Sequence, residues 1–113
     1  MTIQANEVET LHRYAEGVMG RAGHHAEDVS AIALVLLGAI IWRGEPGSIE
    51  IKQYAGNLAN VLWVTIHETR YAFSYHHERH VIEMRERNIL GVVLHSFTNE
   101  TPITDVEAIC REL

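Results

Sequence analysis

The spacing of apolar residues changes at Gly44-Glu45-Pro46-Gly47. Before this cluster they recur at helical intervals or run unbroken; from Ile49 to about Phe97 many segments alternate with polar residues, as strands do. Asn6 followed by Glu9 has the form of a capping box. Val8, Leu11, Tyr14, Ala15, Val18, Met19 and Ala22 then repeat at helical spacing, which predicts an amphipathic helix over about residues 6–22, closed near Gly20 or Gly23. A second helix is predicted over about 26–43, with Glu27 and Asp28 in its first turn, where carboxylates favour the positive end of the helix dipole.

The centre of that second helix, Ala31 to Trp42, is twelve consecutive apolar residues, short of the roughly 20 needed to cross a bilayer. A helix apolar on all sides must be covered on all sides. Ala31, Val35, Gly38, Ala39 and Trp42 fall along one stripe, with Gly38 permitting close backbone approach. Two readings stay open: the stripe meets a second copy of the chain, or it seats the helix on its own neighbours.

Pro46 presets φ and the flanking glycines supply positive φ, so the cluster turns helix into sheet. Five strands are expected. Residues 48–53 alternate strictly, with Ile49 and Ile51 inward and a charged face suited to an edge. Residues 60–67 contain an apolar, β-branched run with Trp63, read as a central strand. Over 69–76, Tyr71, Phe73 and Tyr75 share one face and Ala72, Ser74 and His76 the other. Strands at 80–86 and 91–97 complete an antiparallel meander. A last helix over about 102–112 follows Thr101-Pro102, with Thr104 and Glu107 as a competing capping box. Its apolar face is Ile103, Val106, Ile109, Cys110 and Leu113, which makes Cys110 a small core residue. The expected fold is α+β in one domain, residues 1–113: an N-terminal helical hairpin, a five-stranded meander, and a C-terminal helix packed on the sheet.

Charge narrows the partners. The chain carries 9 Lys and Arg against 15 Asp and Glu, a net charge of −6, which opposes a phosphate backbone, and the cations form no block. Nucleic acid and membrane are therefore not expected partners. One cysteine forms no internal bridge, and the N-terminus has no basic or apolar leader pattern, so a cytoplasmic, reducing setting is expected.

Candidate chemistry is thin. Among 8 histidines, His76, His77 and His80 are the densest group, and His76 and His80 facing each other across a hairpin offer a weak zinc pair. They lack paired cysteines or a His-Glu-x-x-His helix, and a polar turn accounts for them as well. No nucleophile elbow or glycine-rich phosphate loop is present, so neither catalytic residues nor a cofactor are assigned. Trp63, Tyr71, Phe73 and Tyr75 either line a small-molecule pocket or pair across strands as plain core.

The segments Asn60-Val61-Leu62-Trp63-Val64-Thr65-Ile66, Thr69-Arg70-Tyr71-Ala72-Phe73-Ser74-Tyr75 and Val93-Leu94-His95-Ser96-Phe97-Thr98-Asn99, with Thr101-Pro102, resemble small uncharacterised proteins encoded in bacterial integron gene cassettes. The likeness covers about residues 48–113 and implies a compact bacterial protein, with no functional residue to carry over. The leading functional expectation is a non-enzymatic binding or adaptor module, a homodimer, using the second helix or the aromatic sheet face. The alternative is a small-molecule-binding domain or minor enzyme with a pocket between sheet and helices.

Overall fold

A computed structural model describes residues 29–52, 61–76 and 78–113, together with Glu9 and His12. The latter two are helical and exposed; the rest of the expected first helix, and with it the helical hairpin, lies outside the described residues. Helix α1 spans Ser30–Arg43. It starts later than the predicted 26, and no carboxylate lies in its first turn. Glu27 and Asp28 lie outside the described residues; the start of α1 is capped by Asn99, whose Oδ1 accepts the N–H groups of Ala31 at 3.0 Å and Ile32 at 3.1 Å. This satisfies two of the donors that a helix start leaves open.

Gly44 stops α1, donating its N–H to the Ile40 carbonyl at 2.7 Å. The site has no room for a side chain: a Cβ there would stand 2.7 Å from that oxygen and 2.9 Å from Val64 Cγ2. The turn then grips the sheet. Glu45 N–H donates to Thr65 O at 2.8 Å, and Thr65 N–H donates to Ser48 Oγ at 3.2 Å.

Strands β1 (Glu50–Lys52), β2 (Val61–Ile66), β3 (Thr69–His76), β4 (Val81–Glu86) and β5 (Val93–Phe97) lie in chain order. Every neighbouring pair is antiparallel, so the predicted meander is present. Both edges resist further pairing: β1 is short and charged, and the register between β4 and β5 slips at Met84/Arg85.

Register fixes the two faces. Leu62 pairs with Phe73, and Phe73 with Met84, so these residues share a face with Val64, Ile66, Tyr71 and Ile82. Against it pack Ile32, Leu36 and Ile40 of α1 and Val106 and Cys110 of helix α2, which spans Ile103–Arg111. Each large side chain so buried contributes about 1.5–3 kcal/mol. The opposite face carries a smaller cluster of Val61, Trp63 and Ala72, with Ile89 against it.

Neither expected cap starts α2. Thr101 Oγ1 turns back to accept Thr98 N–H at 2.9 Å, closing the turn after β5, and no side chain caps the helix. Its apolar face is also narrower than predicted, since Ile103 is 67% exposed while Val106 is 1% exposed. The two helices run in the same direction. Asn99, just before α2, holds the start of α1, and Arg43 at its end donates to Leu113 O at 2.8 Å.

Candidate interaction surface

Helix α1 buries Ile32, Ala33, Leu36, Leu37 and Ile40 and turns a different stripe outward. Ala31 and Gly38 are exposed, and Val35 and Ala39 are half-buried against the core. Trp42 is 50% exposed. The two readings of this stripe therefore divide it: Val35 and Ala39 help seat the helix, while Ala31, Gly38 and Trp42 face out. Leu34 and Ile41 share the outward side of the helix and are 53% and 62% exposed. They flank Gly38 at i−4 and i+3, the spacing that puts residues side by side on a helix. A Cβ on Gly38 would meet no atom within 4 Å, so its openness is to the outside.

No ionisable side chain interrupts α1 between Ala31 and Trp42. Its C-terminal end carries two arginines, one of them ion-paired to Glu107. Arg111 of α2 and Arg43 lie over the Trp42 ring at 5.2 and 5.7 Å, distances at which a guanidinium is attracted to an aromatic face. Arg43 Nε is buried without a hydrogen-bond partner. Nearby, burial pushes the Cys110 thiol up from its ordinary range, with Arg43 acting in the opposite sense. A thiol held this way is protonated at neutral pH and is a core residue in chemistry as well as position.

The aromatic group proposed from sequence is not one group. Trp63 pairs with Ala72, placing it on the face opposite Tyr71, Phe73 and Tyr75. Tyr71 and Phe73 are buried in the main core and Tyr75 is half-buried against it. Trp63 instead packs beneath Arg70 at 4.7 Å and Lys52 at 5.9 Å, with Glu50 bonded to Arg70 at 3.0 Å. Under α1, a void of about 10 Å³ lined by Ala33, Leu36, Leu37, Ile40, Phe73 and Ile82 has room for about one water.

Of the histidines at the β3–β4 turn, His77 lies outside the described residues, and His76 and His80 go to separate partners. His76 Nδ1 accepts Arg79 N–H at 3.1 Å, and His80 Nδ1 lies 3.3 Å from Tyr75 Oη. Among the described residues no group of three or more His, Cys, Asp or Glu is placed to hold a metal ion.

One carboxylate that the sequence places on a strand face or turn without an identifiable partner, Glu83, has two. Glu83 is buried on the Trp63 face, receiving Arg85 at 2.9 Å and Arg79 at 3.0 Å. The signal was available: Glu83 and Arg85 share a face of β4 by strand alternation. Paired in this way, the carboxylate is a structural ion triad.

A five-stranded antiparallel meander with both described helices on one face defines the class: a small α+β domain. A family model described as integron cassette protein VCH_CASS1 chain matches residues 11–107. The chain belongs to this integron cassette protein family, and the match extends the resemblance seen from residue 48 back to residue 11. No curated protein matches the chain. Among the described residues no helix is long and apolar enough to cross a membrane.

Proposed function

We propose that this protein is a non-enzymatic binding module that works as a homodimer, with the outer stripe of α1 as its contact surface. The observation that carries this reading is the joint exposure of Leu34, Ile41 and Trp42 along one uncharged stripe. A contiguous apolar patch on a soluble domain marks an interaction site more often than an isolated exposed residue does. Two chains of net charge −6 repel each other, and an uncharged stripe is where that opposition is least. The aromatic sheet face is the weaker candidate, since Tyr71 and Phe73 already lie in the core. A reducing, cytoplasmic compartment suits the single cysteine.

Sedimentation velocity across the micromolar range tests the reading. The full chain should pass from monomer to dimer with rising concentration, and Ile41→Glu should stay monomeric with unchanged circular dichroism. A native chain that is monomeric at high micromolar concentration overturns it.

A further inference from the structure

The stripe also contains information on how a second copy would lie. Its ends differ in charge. At the C-terminal end Arg43 and Arg111 flank Trp42; at the N-terminal end Asn99 bonds to Ala31, which brings the adjoining exposed Glu100 to that side. Because α1 and α2 run in the same direction, their dipoles add, with the positive ends together beside Asn99 and the negative ends beside Arg43.

We propose that two copies meet with their α1 helices antiparallel, crossing near Gly38, so that the Trp42 end of each stripe lies against the Glu100 end of the other. This rests on the homodimer reading and gives it a geometry. A parallel pairing sets Arg111 against Arg111 and Glu100 against Glu100, and aligns like ends of the dipoles. The antiparallel pairing sets Arg111 against Glu100 twice and opposes the dipoles favourably. Gly38 is the natural crossing point. It lies beside the midpoint between Leu34 and Ile41, and with no side chain it admits the partner backbone closely. Arg111 reaches a partner without leaving the Trp42 ring, because its ion pair to Glu107 at 3.7 Å joins two side chains that are each 62% exposed, a pairing worth little in water.

Cross-linking of the full chain separates the geometries. Leu34 and Ile41 are seven residues apart, about 10 Å along the helix. In the antiparallel pair, Leu34 of one protomer meets Ile41 of the partner. An equimolar mixture of Leu34→Cys and Ile41→Cys should then join efficiently through a short thiol cross-linker, and neither variant should join to itself. Self-joining of each single variant establishes the parallel pair and overturns the proposal. A dimer in sedimentation that joins in no combination overturns it too, while leaving the homodimer reading intact. A monomer removes both. As an independent arm, Arg111→Glu should weaken dimerisation by roughly three- to tenfold, and adding Glu100→Arg to the same chain should restore it. Failure of the second substitution to restore association refutes the charge pairing.

Discussion

Asn99 Oδ1 accepts the backbone N–H of Ala31 at 3.0 Å, capping α1 from 68 residues downstream. The residue that occupies the cap position, Val29, has no side-chain acceptor and makes no cap bond. Replacing Asn99 with alanine should therefore cost about 0.5–2 kcal/mol in urea unfolding, the usual loss for a helix cap. Asn99→Asp should keep most of it, because a carboxylate accepts the same bonds and suits the positive helix end. Equal losses from both substitutions would show that the cap is not what Asn99 provides.

Gly44 should resist even alanine. Its φ of −67° is open to any residue, so the cost comes from contact alone: the added methyl meets Ile40 O and Val64 Cγ2 below 3 Å. Overpacking of this kind costs about 1–3 kcal/mol. Val64→Ala in the Gly44→Ala background should recover only part of it, since the Ile40 carbonyl cannot retreat. A neutral Gly44→Ala by thermal melting would contradict the close packing.

Glu83 should matter more than its arginine partners. Glu83→Gln leaves Arg85, itself mostly buried, facing a neutral group, and breaking a buried pair in this way costs about 3–5 kcal/mol at the full limit. Arg79, whose side chain is 57% exposed, should cost under about 1 kcal/mol on replacement with alanine. Chemical denaturation of the two variants side by side checks the order, and the reverse order would deny Glu83 its structural role.

Within α2, Val106→Ala removes two buried methyl groups and should cost about 2 kcal/mol. Ile103→Ala, on the exposed first residue of the helix, should stay under about 0.5 kcal/mol. Comparable losses at both sites, measured from urea midpoints, would mean that Ile103 is covered.

What the sequence made legible follows from periodicity. Alternation marks β3, Thr69–His76, whereas β2 is read from an unbroken apolar, β-branched run. Periodicity also put Ala31, Gly38 and Trp42 on a common stripe, without deciding whether it faces out or in. It could not choose the faces of β2, an unbroken apolar run in which a shift of one residue exchanges the sides; hence Trp63 was grouped with aromatic residues from which the sheet separates it. Long-range hydrogen bonds were likewise invisible. Nothing near Ser30 announces that its helix is capped by Asn99, and nothing near Thr101 announces that its hydroxyl serves Thr98 in preference to α2.

Helix α1 precedes the whole sheet in the chain and is secured at its start only after the sheet is complete. A ribosome adding about 5–20 residues per second needs roughly 4–14 s to travel from Arg43 to Leu113, 70 residues on, and about as long to reach Asn99 from Ala31. Through that interval α1 is an apolar segment held only at its Gly44 end, by the bonds of the following turn to β2, while the hairpins between neighbouring strands form in about 1–10 μs once their residues emerge. The nascent sheet thus waits for its lid to be locked, and α1 stays open to chaperone capture and aggregation until Asn99 has emerged.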